Sequence, residues 1–157
     1  MANDIAADTT PLTVWRCDSC GDDITSPTRS LVIWRRDDER RGFDFRIVHK
    51  SMDGYRCDPG AEQGFLYHTE LENFLGANGL AYALSLLSPG PLMRSTDVQV
   101  LDFNGFVDLV RRTQTPWYEQ ARSKWDTEQT RDWFTDANQV YPYQPAVLER
   151  IAKQTLS

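Results

Sequence analysis

Two of the three cysteines in this 157-residue chain stand three positions apart, in Trp15-Arg16-Cys17-Asp18-Ser19-Cys20-Gly21, and no other feature restricts the fold as much. A Cys-x2-Cys turn curls the backbone so that both sulfurs aim at one point, and a following glycine can take the left-handed conformation that closes the curl. Such a turn is half of a tetrahedral metal site. The other half has few sources: one further cysteine, Cys57, and two histidines, His49 and His68. Cys17, Cys20, His49 and Cys57 form one Cys3His set, with 28 residues between Cys20 and His49 and seven between His49 and Cys57. The alternative replaces His49 by His68, ten residues beyond Cys57. Either donor set suits a structural Zn2+, which is the expected cofactor. A redox Cys-x-x-Cys would head a helix after a buried strand. Here the pair follows a polar leader and precedes Asp22-Asp23 and Pro27.

The residues around the ligands favour His49. Leu31-Val32-Ile33-Trp34 reads as one strand and Phe43 to His49 as a second, with Phe43, Phe45, Ile47 and His49 on one face by the two-residue period. Between them lies a charged hairpin tip, Arg35-Arg36-Asp37-Asp38-Glu39-Arg40-Arg41-Gly42. Pairing of the two strands returns the end of the second towards Cys17 and Cys20. With a polar leader over residues 1–13, a zinc-binding β lobe is expected over residues 14–68.

The order of knuckle, hairpin and remaining ligands resembles a zinc-ribbon or treble-clef lobe over Cys17 to Cys57. The order Cys, Cys, His, Cys and the 28-residue gap are similar to the zinc fingers of poly(ADP-ribose) polymerases, a resemblance that would imply recognition of DNA breaks. The last gap departs from that family, with seven residues where two are usual, and the DNA-end function is not carried over.

From Thr69 the apolar period becomes helical, and residues 69–157 are expected to form a bundle of four to five short helices packed with the lobe as one compact unit. Thr69-Glu70-Leu71-Glu72 has the form of a capping box, with Gly76 as a stop. Leu80, Ala83, Leu84 and Leu87 share a helical face that ends at Ser88-Pro89-Gly90-Pro91. Asp102 opens a helix carrying Phe103, Phe106, Val107 and Val110, and Thr115-Pro116 another, which runs on to Trp133-Phe134 or breaks near Asp126-Thr127. Val147, Leu148, Ile151 and Ala152 lie along a last helix. The fold class is therefore α+β.

Function is less marked. The formal charge of −6 is spread over both halves, which argues against binding driven mainly by phosphate neutralisation. No apolar run approaches a membrane span and no signal-peptide pattern opens the sequence, so a soluble, cytoplasmic protein is expected. There is no His-Glu-x-x-His, Gly-x-Ser-x-Gly or phosphate-loop motif, and His68-Thr69-Glu70 stands on the wrong side of the knuckle for a zinc deaminase. A closed Cys3His site also offers no place for a catalytic water. An enzyme is thus not the leading expectation, and a hydrolytic enzyme stands as the third reading. The leading reading is an adaptor or regulator that binds another protein through Trp117, Tyr118, Tyr141 and Tyr143. The alternative is nucleic-acid binding through Arg35, Arg36, Arg40 and Arg41.

Overall fold

The structure, a computed structural model, describes residues 12–93, 99–135 and 142–155. Among the described residues, five strands and five α-helices make up an α+β fold: β1 (Trp15–Arg16), β2 (Asp23–Ile24), β3 (Ser30–Arg36), β4 (Gly42–His49) and β5 (Tyr67–Glu70), then α1 (Gly76–Leu87), α2 (Phe103–Gln114), α3 (Tyr118–Arg122), α4 (Glu128–Thr135) and α5 (Pro145–Lys153). The described chain falls into two compact units. One is Arg16–Gln114, and the other joins the residues before Arg16 to the segment from Thr115 onward.

In the larger unit β3 is the centre of an antiparallel sheet ordered β4-β3-β5. The two expected strands lie within β3 and β4, with Ser30 opposite His49 and Arg36 opposite Gly42. The ladder slips between Ile33 and Arg35, and across from that slip Asp44 has φ 58°. This left-handed residue inside a strand is the signature of a bulge. The Asp44 carboxylate is held on both sides, 3.0 Å from Arg35 and 2.9 Å from Arg46. Val32, Ile33, Trp34, Ile47, Val48, Leu71, Phe74, Phe106 and Leu109 are buried in this unit. The Phe45 and Phe106 rings meet edge-on at 5.4 Å, which docks α2 on β4. A parallel bridge from Gly42 to Val100 fixes the start of α2 against the same strand.

The capping box at Thr69 does not start a helix. Thr69 pairs with Val32 and Glu70 with Leu31, so the open edge of β3 has captured both as strand residues. Leu71–Phe74 then makes one 3-10 turn that buries Leu71 and Phe74, and Gly76, with φ 66°, begins α1 where a stop was expected. The remaining helices follow the pattern. α1 ends at Leu87 with Ser88 as its C-cap, and Asp102 caps α2 by accepting the Gly105 N–H at 3.0 Å. The stretch after Thr115 breaks at 123–127 into α3 and α4. In the smaller unit Tyr118, Ala121, Leu148 and Ile151 form a core between α3 and α5, with Trp117, Trp125 and Phe134 packed around it. Among the described residues, no helix is long and apolar enough to cross a membrane.

Candidate metal centre

Three local structures converge in the larger unit. The knuckle is a tight hairpin: Cys17 N–H donates to the Asp22 carbonyl at 3.0 Å, and Gly21 N–H to the Cys17 carbonyl at 3.1 Å. Gly21 has φ 80°, a conformation that a side chain would strain. β4 delivers His49 at its last position, and it is tied to the knuckle because Asp18 N–H donates to the Ile47 carbonyl at 2.8 Å. Cys57 returns by a loop whose reversal uses left-handed Asp53 and Gly54 and a bond from Tyr55 N–H to the Met52 carbonyl at 3.0 Å.

The outcome is a cluster of Cys17, Cys20, His49 and Cys57 whose ligand atoms all lie within 4.8 Å of one another. His49 Nδ1 is 3.5 Å from Cys20 Sγ and 3.7 Å from Cys57 Sγ. In a tetrahedral site with metal–sulfur bonds of about 2.3 Å and metal–nitrogen bonds of about 2.05 Å, a nitrogen and a sulfur stand about 3.6 Å apart. The cluster therefore has the dimensions to hold a metal ion. His49 Nε2 lies 3.1 Å from the Asp23 carbonyl, which can only accept, so Nε2 carries the proton and Nδ1 presents its lone pair to the three sulfurs. The Tyr55 ring stacks flat on the imidazole, with centroids 3.6 Å apart.

The thiols differ in their surroundings. Cys17, His49 and Cys57 are buried and Cys20 is exposed. Burial pushes the Cys17 thiol up, but hydrogen bonds from the Cys20, Ser19 and His49 backbone and from the Cys57 thiol together outweigh it and bring its pKa down to about 7. Ser19 N–H stands 3.4 Å from the Cys17 sulfur, and Asp22 N–H is at the same distance from that of Cys20. Burial, joined by the neighbouring Cys17 and Cys20 sulfurs, pushes Cys57 up to about 12. Three sulfurs crowded together resist carrying charge at once, and a cation among them would remove that cost.

The other expected site residues are placed as follows. His68 is exposed on β5 opposite Ile33 and is not in the cluster. Arg35 lies over the Phe43 ring besides its contact with Asp44, and Arg36 lies over Tyr67 at 3.8 Å. Arg41 is paired with Asp37 at 2.8 Å and with Glu39 at 3.5 Å, while Arg40 is exposed at φ 65°. Tyr118 is 4% exposed and belongs to the core of the smaller unit, which removes it from the expected contact surface. Trp117 is half-buried with Lys153 over its ring, and Tyr143 is exposed. Tyr141 lies outside the described residues. Two residues beside the centre carried no sequence signal: Asp18, which is one of the two spacer residues of the knuckle, and Tyr55.

Comparison with protein-family models, with curated proteins and with solved structures finds no match to this chain.

Proposed function

We propose that the cluster holds a structural Zn2+ and that the chain acts as an adaptor or regulator by binding another protein. The observation that carries the first part is the convergence of three sulfurs on a histidine whose tautomer is already set for coordination. Three thiolates and an imidazole prefer zinc over magnesium or calcium, which take oxygen ligands. With four protein ligands, no position is left for substrate or water, so the metal's work is to hold the lobe together. Structural zinc contributes on the order of 10 kcal/mol of apparent binding free energy, comparable to the whole stability of a small domain.

The protein-contact reading is supported by apolar side chains left in solvent. Leu84 is 54% exposed and Phe103 60%, although both stand in well-formed helices. Nucleic-acid binding has less support, since Arg35 and Arg41 are engaged with carboxylates.

Elemental analysis of tag-free protein tests the first part. One zinc per chain is expected in the wild type, with insoluble or metal-free protein for Cys17→Ser and Cys20→Ser. A folded, reduced wild type without zinc would end the reading. For the second part, titration of labelled DNA and RNA at two salt concentrations is the discriminating measurement. No binding at physiological salt is expected. Steeply salt-dependent binding that is lost in Arg36→Ala or Arg40→Ala would replace the protein-partner reading by the nucleic-acid one.

A further inference from the structure

The knuckle is gripped from a part of the chain that supplies no ligand. Arg112, in the last turn of α2, is only 2% exposed. Its Nη1 donates to Asp18 Oδ2 at 2.6 Å and its Nη2 to the Arg16 carbonyl at 2.9 Å. The same Asp18 oxygen accepts the Ile47 N–H at 2.8 Å, and Asp18 N–H donates to the Ile47 carbonyl at 2.8 Å. Asp18 follows the ligand Cys17, Arg16 precedes it, and Ile47 is two residues before the ligand His49. One guanidinium thus closes a network that sets the distance between the knuckle and the strand that brings the histidine.

We infer that Arg112 and Asp18 are positioning residues of the metal centre, so that α2 is a working part of that centre and not merely packed beside it. The inference rests on the metal-binding reading above. An arginine is costly to bury, and burial is tolerated where a charge-assisted bond of fixed geometry repays it. Here that geometry falls on the two segments that must hold still for four ligands to meet at one point. Partners that orient ligands in this way typically change metal affinity by about 10–100-fold when removed.

Zinc affinity, measured by competition with a chromogenic chelator, tests this on the full chain. The variants are Asp18→Asn, Arg112→Met, the two combined, and Leu109→Ala as a control that removes buried packing one turn earlier on α2 while leaving the hydrogen bonds of Arg112 and Asp18 in place. Asp18→Asn and Arg112→Met are each expected to weaken zinc binding about 10–100-fold, and the double variant no more than the stronger single. Leu109→Ala should lower Tm while leaving zinc affinity near that of the wild type. Should Arg112→Met fail to fold, Asp18→Asn carries the test, supported by the visible spectrum of its Co2+ form, which is expected to shift. Wild-type affinity in Asp18→Asn, or an equal loss in Leu109→Ala, would overturn the inference. A wild type that takes up no zinc fails the metal reading itself, and that result is seen before any variant is made.

Discussion

His49 divides its two ring nitrogens between the fold and the cluster. Nε2 donates to the Asp23 carbonyl, and Nδ1 faces the sulfurs of Cys20 and Cys57. His49→Ala therefore removes the one nitrogen of the cluster together with the Nε2–H that meets the Asp23 carbonyl, and the metal proposed for the larger unit is expected to be lost. His68→Ala, on an exposed strand position, is expected to retain one zinc per chain and the wild-type Tm. Metal content and melting of the two variants side by side check this, and zinc loss in His68→Ala alone would reassign the fourth ligand. The preference for His49 was legible in the sequence because hairpin pairing is a local rule that places a strand end predictably. The grip of Arg112 on Asp18 was not legible. Ninety-four positions separate the two residues, and an arginine on an amphipathic helix reads as a solvated charge until a partner is known. The burial of Tyr118 was missed for the converse reason. An aromatic in a dense aromatic segment can belong to a core or to a surface, and only packing decides.

The β3–β4 hairpin shows how an element can be held by one side chain. At its tip Asp37 Oδ1 accepts the N–H groups of Arg41 at 2.8 Å and Glu39 at 3.0 Å, while Asp37 Oδ2 accepts from Arg41 Nε at 2.9 Å. The Arg41 N–H leads in holding the Asp37 carboxyl below its ordinary value, against a smaller opposing effect of burial and with help from the Arg41 guanidinium. A carboxylate with a depressed folded pKa stabilises the fold above its ordinary value, and that contribution fades as pH falls through the folded value. The amides of Glu39 and Arg41 are therefore expected to shift and exchange faster below about pH 4, ahead of the rest of β3 and β4. In Asp37→Ala they should do so already at neutral pH. Amide NMR across a pH titration reads both, and unchanged tip amides in Asp37→Ala would refute the role. β3, β4, α1, α2 and α5 were legible because each carries a clear period or cap. β5 was hidden by a sequence that satisfies the rules for a helix start. Propensity at Thr69 is local and worth little against the hydrogen bonds offered by an unpaired strand edge.

For the molecule as a whole, the four cluster residues, Asp18 and Arg112 all lie within Arg16–Gln114, whereas the unit containing α3, α4 and α5 has a core of its own. Chelation should therefore loosen one unit before the other. In limited trypsin digestion followed by mass spectrometry, chelator is expected to accelerate cleavage after Arg29, Arg46 and Arg56 well before it affects Arg122 and Lys124. Equal acceleration at both groups of sites would mean that the units unfold as one. The separation of Asp18 from Arg112 also sets an order of events as the chain is made. All four cluster residues exist once Cys57 has emerged from the ribosome, but Arg112 follows only after roughly 3 to 11 seconds at ordinary elongation rates. If the proposed metal binds that early, the nascent polypeptide passes through an interval in which the ion is held but not yet clamped, and the centre is completed only by the arrival of a helix that contains none of the four cluster residues.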